Sequence, residues 1–177
     1  MKREFCLTIA VLAGSVAASP QNVLTVPAVK MGLWQRTSTT TMTGVQIPAE
    51  AAAKMKAMGV PVPGAAPRTD ITQFCMTREG WQKSFADMQQ KKSCELSNMH
   101  QDSSEMSADI VCKLSDGGGK GHMDIKFDSQ EKMSEKLHME STTSRQSQPI
   151  VMDRTAHSAY QGSDCKGISP GESKTIQ

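Results

Sequence analysis

The sequence predicts a mainly β protein: a curved antiparallel sheet or small barrel-like meander with one or two short helices, stabilised by disulfides. Three observations predict it. Apolar residues in the second half recur at every second position, the period of a strand with one buried face. Glycine- and proline-rich breaks separate these runs, where chain reversals belong. Four cysteines, Cys75, Cys94, Cys112 and Cys165, remain once an N-terminal export signal is set aside, and small exported domains rely on disulfides.

The export signal reads in the expected order. Lys2 and Arg3 are its basic start, Phe5 to Val16 its apolar run, and Val16-Ala17-Ala18 its small-residue cleavage site. Cleavage after Ala18 is expected, with Ala17 nearly as good. The run is too short for a permanent span and has no stop-transfer flank. Cys6 lies early in it rather than at a cleavage site, so a lipoprotein anchor does not fit. The expected address is the periplasm or the exterior. Removing residues 1–18 leaves about 160 residues, one domain's worth. The expected layout is a single domain over 19–165, with a Pro/Met/Ala-rich insertion at 44–68 and a flexible tail at 166–177.

The elements follow in chain order. Met31 to Thr43 is Thr-rich, carries Trp34, and reads as a long strand. In the insertion, Pro48, Pro61, Pro63 and Pro67 surround an Ala/Met/Lys stretch, Ala49 to Met58, that reads as a short helix. Thr69 to Met76 is again strand-like. Thr77 is positioned to cap a helix running to about Gln90, with Trp81, Phe85 and Met88 on one face. Alternation then resumes at Met106, Ala108, Ile110, Cys112 and Leu114, and at Met123, Ile125 and Phe127. Met133, Leu137 and Met139 repeat it, with Glu135 as the single exception. Ile150 to Tyr160 reads as a last strand. The sum is six or seven strands.

Turn chemistry proposes registers. A reversal centred on Gly118-Gly119 would pair Leu114 with Met123, Cys112 with Ile125 and Ile110 with Phe127. In the preceding hairpin, Cys94 opposite Cys112 would set Leu96 against Ile110, Asn98 against Ala108 and His100 against Met106. Gln101 to Glu105 is then left as a polar turn. Both cysteines fall on the buried face at a separation a disulfide can span. Four cysteines allow three connectivities, and this register favours Cys94–Cys112 with Cys75–Cys165. The longer loop would add roughly 4 kcal/mol in the chain-entropy model.

These landmarks carry a family likeness. Gly32-Leu33-Trp34 opens a Thr-rich strand containing Met42-Thr43-Gly44, and a Pro/Met-rich insertion leads to Cys75-Met76-Thr77 and a helix. Cys94 and Cys112 bracket a hairpin, and Gly162-x-x-Cys165 follows the last strand. The order resembles the exported bacterial family catalogued as domain of unknown function 3617, over about Met31 to Lys166. Met76 stands where that family usually has Leu. The resemblance implies export and one small domain, and supplies no activity or catalytic residue.

Composition and motifs narrow the chemistry. The formal charge is +2, and falls to +1 when Lys2, Arg3 and Glu4 leave. A nucleic-acid binder needs a clustered cation excess, so no nucleic acid is expected as partner, nor a stable membrane anchor. No nucleophile elbow occurs, Gly117 to Gly121 lacks the P-loop frame, and no acid pair stands out. The reading names no catalytic residue and no cofactor, and leans away from an enzyme. It expects a binding or structural protein of the cell envelope whose partner is a small apolar ligand or an envelope protein. Met123, Ile125, Phe127, Met133, Leu137 and Met139 would form the apolar ligand face, adaptable because methionine is flexible. The alternative is a soft-metal site, Cu or Zn, at His122 and His138 with methionine thioethers as added ligands, the two histidines falling opposite each other if Phe127 pairs with Met133. The Met99-His100 dipeptide cannot chelate as a unit, because neighbours in a strand point to opposite faces.

Overall fold

The computed structural model describes residues 25–64, 66–90, 94–144, 146 and 148–176. The export signal and its cleavage site lie outside the described residues. The elements are β1 (Gly32–Thr43), α1 (Ala49–Ala57), β2 (Arg68–Met76), α2 (Arg78–Gln90), β3 (Cys94–Gln101), β4 (Glu105–Leu114), β5 (Gly117–Ser129), β6 (Lys132–Thr143), β7 (Ile150–Gly162) and β8 (Ser173–Thr175). Among the described residues they form one eight-stranded antiparallel sheet in the order β3-β4-β5-β6-β7-β1-β2-β8. It stays open, with β3 and β8 at its edges, so of the two expected forms the open sheet is realised rather than the barrel.

The sheet wraps around α2. That helix connects β2, near one edge, to β3 at the other. Thr77 caps it: Gly80 N–H donates to Thr77 Oγ1 at 2.9 Å, satisfying one of the first-turn donors that a helix leaves unpaired. Trp81 is buried, and its ring meets Phe127 of β5 edge-on at 6.0 Å. Around it lie Trp34, Met76, Met106, Ile110, Met123 and Met133, from strands across the sheet. The side chains of Phe85 and Met88 lie outside the described residues. Trp34 is fully buried, stacks edge-on against Tyr160 at 5.9 Å, and donates its Nε1–H to Lys30 O at 2.9 Å. The segment before β1 closes this end. Val29 is buried there, and Thr25 O accepts from Trp81 Nε1 and from Gln101 Nε2.

Two disulfides tie the edges: Cys94 to Cys112 between β3 and β4, and Cys75 to Cys165 between β2 and the segment after β7. The second brings the C-terminal segment alongside β2. The expected flexible tail therefore contains β8, which pairs Ser173 to Thr175 with β2, and Ile176 N–H donates to Ile71 O at 2.9 Å. The reason is local. An anchored chain beside an unpaired strand edge finds ready hydrogen-bond partners.

The β4–β5 register differs from the expectation. The turn falls at Ser115-Asp116, so Cys112 pairs with Gly119, Ile110 with Gly121, Ala108 with Met123 and Met106 with Ile125. The glycines are needed for close approach rather than for a turn: a Cβ on Gly117 would run into Thr142 O, and one on Gly121 into His138 O and the Met139 sulfur. Relative to expectation, β5 slips by an even number of residues, so every side chain keeps its face. In the β3–β4 hairpin, Cys94–Cys112 and Leu96–Ile110 pair directly, but a bulge follows. Asn98, at φ 47°, absorbs it, as asparagine tolerates the left-handed region better than most residues. His100 then pairs with Ser107 rather than Met106, and moves to the outer face.

Candidate functional site

Strand parity puts alternate residues of β2, β1, β7, β6, β5 and β4 on the inner face. One rung of the ladder reads Phe74-Trp34-Tyr160, and this end is the packed core. The next three rungs are different. Thr72-Arg36-Ser158-Met133 comes first, then Asp70-Ser38-Ala156-Glu135-Ile125, then Arg68-Thr40-Arg154-Leu137-Met123. Ser38, Ala156 and Ser158 are buried, and their small size lets long charged side chains lie across them. Arg36 reaches from β1 over β7 to β6, where its Nη2 is 3.5 Å from Glu135 Oε2. The two side chains are 29 % and 16 % exposed, so this ion pair is largely removed from water.

These residues line a cavity of about 450 Å³ between α2 and the sheet. Its apolar wall is Phe74, Trp81, Met123 and Ile125, and its polar wall is Arg36, Arg154 and Glu135. Gly171, Glu172 and Ser173, delivered by the Cys75–Cys165 bridge and β8, form part of its rim. The Arg36 guanidinium also lies 4.8 Å from the centre of the Phe74 ring, a favourable cation–π distance. Burial pulls the Arg36 pKa down, Glu135 raises it, and Arg154 lowers it again. The Nε atoms of both Arg36 and Arg154 are buried without a hydrogen-bond partner among the described residues. A smaller cavity of about 250 Å³ lies under Pro61 to Gly64, where the insertion folds over Thr40, Met42, Arg68 and Asp70.

The residues of the expected ligand face divide between core and cavity. Met123 and Ile125 line the cavity, Met133 belongs to the buried core, and Phe127, Leu137 and Met139 pack against that core. Sequence reasoning passed over Arg36, Glu135 and Arg154. The signal was present: Glu135 breaks the β6 alternation, Arg36 shares the parity of Trp34, and Arg154 shares that of Ala156 and Tyr160.

On the outer face His122 pairs directly with His138. Each ring has a carboxylate beside it. His122 Nδ1 is 2.6 Å from Asp109 Oδ1, and His138 Nδ1 is 2.7 Å from Asp153 Oδ1. Asn98 Nδ2 donates to Asp109 Oδ2 at 2.7 Å, extending the row to β3. His122 Nε2 lies 3.3 Å from Asp124 Oδ1, so both its nitrogens face carboxylates. This raises its pKa, the Asp109 hydrogen bond being the main cause and burial the opposing one. At the β3–β4 turn, His100, Asp102 and Glu105 gather three exposed donor atoms within reach of one another. Asp102 Oδ1, however, accepts from Ser104 N, Ser104 Oγ and Glu105 N, which holds its pKa at about 2.

Fold and site together define a class: an open antiparallel sheet curved around one helix, with a part-charged, part-apolar cavity beneath it. The chain belongs to the family described as protein of unknown function, DUF3617, whose model matches residues 29–165. None of the curated proteins compared with the chain matches it. A solved structure of the S-type phycobiliprotein lyase CPES from Guillardia theta aligns at 6 % identity, over 76 % of this chain and 89 % of that one. Its TM-score is 0.31. Among the described residues, no helix is long and apolar enough to cross a membrane.

Proposed function

We propose that this protein is a non-enzymatic binding module of the cell envelope that holds one small, mainly apolar molecule between α2 and the inner face of the sheet. The observation that supports it is the cavity of about 450 Å³ beside Trp81, Phe74, Met123 and Ile125. That volume falls in the range of small-molecule pockets, about 300–1,000 Å³, and mixed apolar and convergent polar walls are typical of them. Two disulfides support an oxidising compartment, as does the export signal read from residues 1–18. Native mass spectrometry of protein purified from its own host tests the reading. We expect a reproducible adduct of small-molecule mass on the wild type that is lost in Thr72→Trp, which fills the cavity from β2. Bare protein in every preparation would overturn it.

The metal alternative at His122 and His138 has two features behind it: the direct pairing of the two residues across β5 and β6, and carboxylates beside both rings, the usual second partner of a metal-bound histidine. Against it, Asp124 stands at the His122 nitrogen that a metal would need. Calorimetric titration with Cu(I) and Zn(II) separates the two, and stoichiometric heat that disappears in His138→Gln would put the metal reading first.

A further inference from the structure

Resting on that reading, we propose that the ligand carries one anionic oxygen headgroup, a carboxylate or phosphate monoester, seated between Arg36 and Arg154 with its apolar body along Trp81 and Met123. The cavity holds a charge imbalance. Two guanidiniums face inward from β1 and β7, and one carboxylate, Glu135, stands between their rungs on β6. Glu135 is within ion-pair reach of Arg36, and Arg154 makes no ion pair among the described residues. Asp70 does not redress the balance, because it is committed to Arg68 at 2.8 Å. Glu172 sits exposed at the rim, where water screens its charge.

Two buried Nε–H donors without partners strengthen the case. A buried donor left unmade costs roughly 1–3 kcal/mol, and a protein keeps such groups where they serve something else. Guanidinium is the side chain best matched to carboxylate and phosphate, since its planar fork donates two parallel hydrogen bonds. Glu135 holds Arg36 in place while leaving part of its fork to a second anion. The neighbouring wall is apolar: Phe74, Trp81, Met123 and Ile125. An anion alone would leave that wall wet, and an uncharged hydrocarbon would leave the donors unmet. An acidic amphiphile satisfies both.

Isothermal titration of the oxidised protein with decanoate, decyl phosphate, decanol and decyltrimethylammonium tests the assignment. We expect one or both anions to bind about tenfold or more tightly than the alcohol and the ammonium. The tighter anion then tells carboxylate from phosphate. Arg154→Met should remove that preference, weakening the anions about tenfold more than decanol. Should Arg154→Met fail to fold, the unchanged protein carries the test through salt, which should weaken the anions and spare decanol. Equal binding of all four probes, or an equal loss of anion and alcohol in Arg154→Met, overturns the headgroup and leaves the cavity reading standing. No binding of any probe, with no adduct on native protein, overturns both.

Discussion

The inner and outer faces of this sheet both carry ionic rows, built on the same central strands, yet the rows differ in what surrounds them. On the outer face a row across β4 to β7 places the imidazoles of His122 and His138 side by side, flanked by the carboxylates of Asp109 and Asp153. They are largely exposed, and each ring has a carboxylate partner of its own, so the row is of low energy and close to self-sufficient. On the inner face Arg36, Glu135 and Arg154 lie across a floor of small residues against an aromatic wall, and two cations face one anion there. Ionic chemistry serves the sheet where each group has its partner in water, and under the proposed function it serves recognition where the charges are unbalanced and largely removed from water. Burial makes the difference, because a charge deprived of water needs a partner far more than one that keeps it.

The inner-face site depends most on the disulfide that carries the cavity rim. Cys75→Ala/Cys165→Ala should cost about 4 kcal/mol by the loop-entropy argument and release Gly171 to Ser173 from the cavity. Urea unfolding measures the first effect, and loss of ligand adduct by mass spectrometry the second. A fully retained adduct would show that the rim is not part of the site.

Next in size is Glu135→Gln, which leaves Arg36 without its carboxylate. We expect a loss of about 2–3 kcal/mol, under the ~3–5 of a fully buried pair because Arg36 keeps some water. The double replacement Arg36→Met/Glu135→Leu should recover most of that loss, since apolar groups of similar size often substitute for a buried pair without penalty. Chemical denaturation of the three proteins gives the coupling. His138→Gln on the outer face, measured the same way, should change stability by about 0.5 kcal/mol or less.

The smallest effect is in pH dependence. His122 has a raised pKa in the folded protein, so its contribution is complete below the ordinary histidine value of about 6.5 and fades as pH rises through the raised value. Asp109, its partner, has a lowered pKa, set by hydrogen bonds from Asn98 and then His122. Its contribution is present above the ordinary carboxylate value and fades as pH falls through the lowered one. Both effects are screened at this exposed site. Comparing wild type with His122→Gln at about pH 5 and about pH 9 should show a small stability advantage of the wild type at the lower pH only. An advantage that grows toward high pH would mean that His122 is held neutral.

Much of this architecture is legible before folding. The period-2 runs placed β4, β5 and β6, the Thr77 cap located α2, and setting Cys94 opposite Cys112 gave a hairpin whose first pairs, Cys94–Cys112 and Leu96–Ile110, are realised. The β4–β5 register was not legible, because a run of glycines looks alike as a turn and as a strand pressed against its neighbour. Only the presence of Thr142, His138 and Met139 beside Gly117 and Gly121 tells the two apart. The bulge at Asn98 was hidden for a similar reason: a one-residue insertion changes no composition and flips every following side chain.

The candidate site shows the same division. The sequence by itself determined which residues share a face, since parity is a property of the extended backbone and survives a slip of even length. Glu135 stood out on that ground as the exception in the β6 run, while Arg36 and Arg154, at the parity of Trp34 and Tyr160, were passed over. Tertiary structure alone decided that these three, from β1, β6 and β7, approach one another, because strand order and stagger are set by packing around Trp81 and by the Cys75–Cys165 bridge. It also decided that a cavity, rather than more core, lies beside them, between Gly80, Trp81 and Ser84 of α2 and the inner face of the sheet. Local periodicity fixes direction, and only the assembled packing fixes distance.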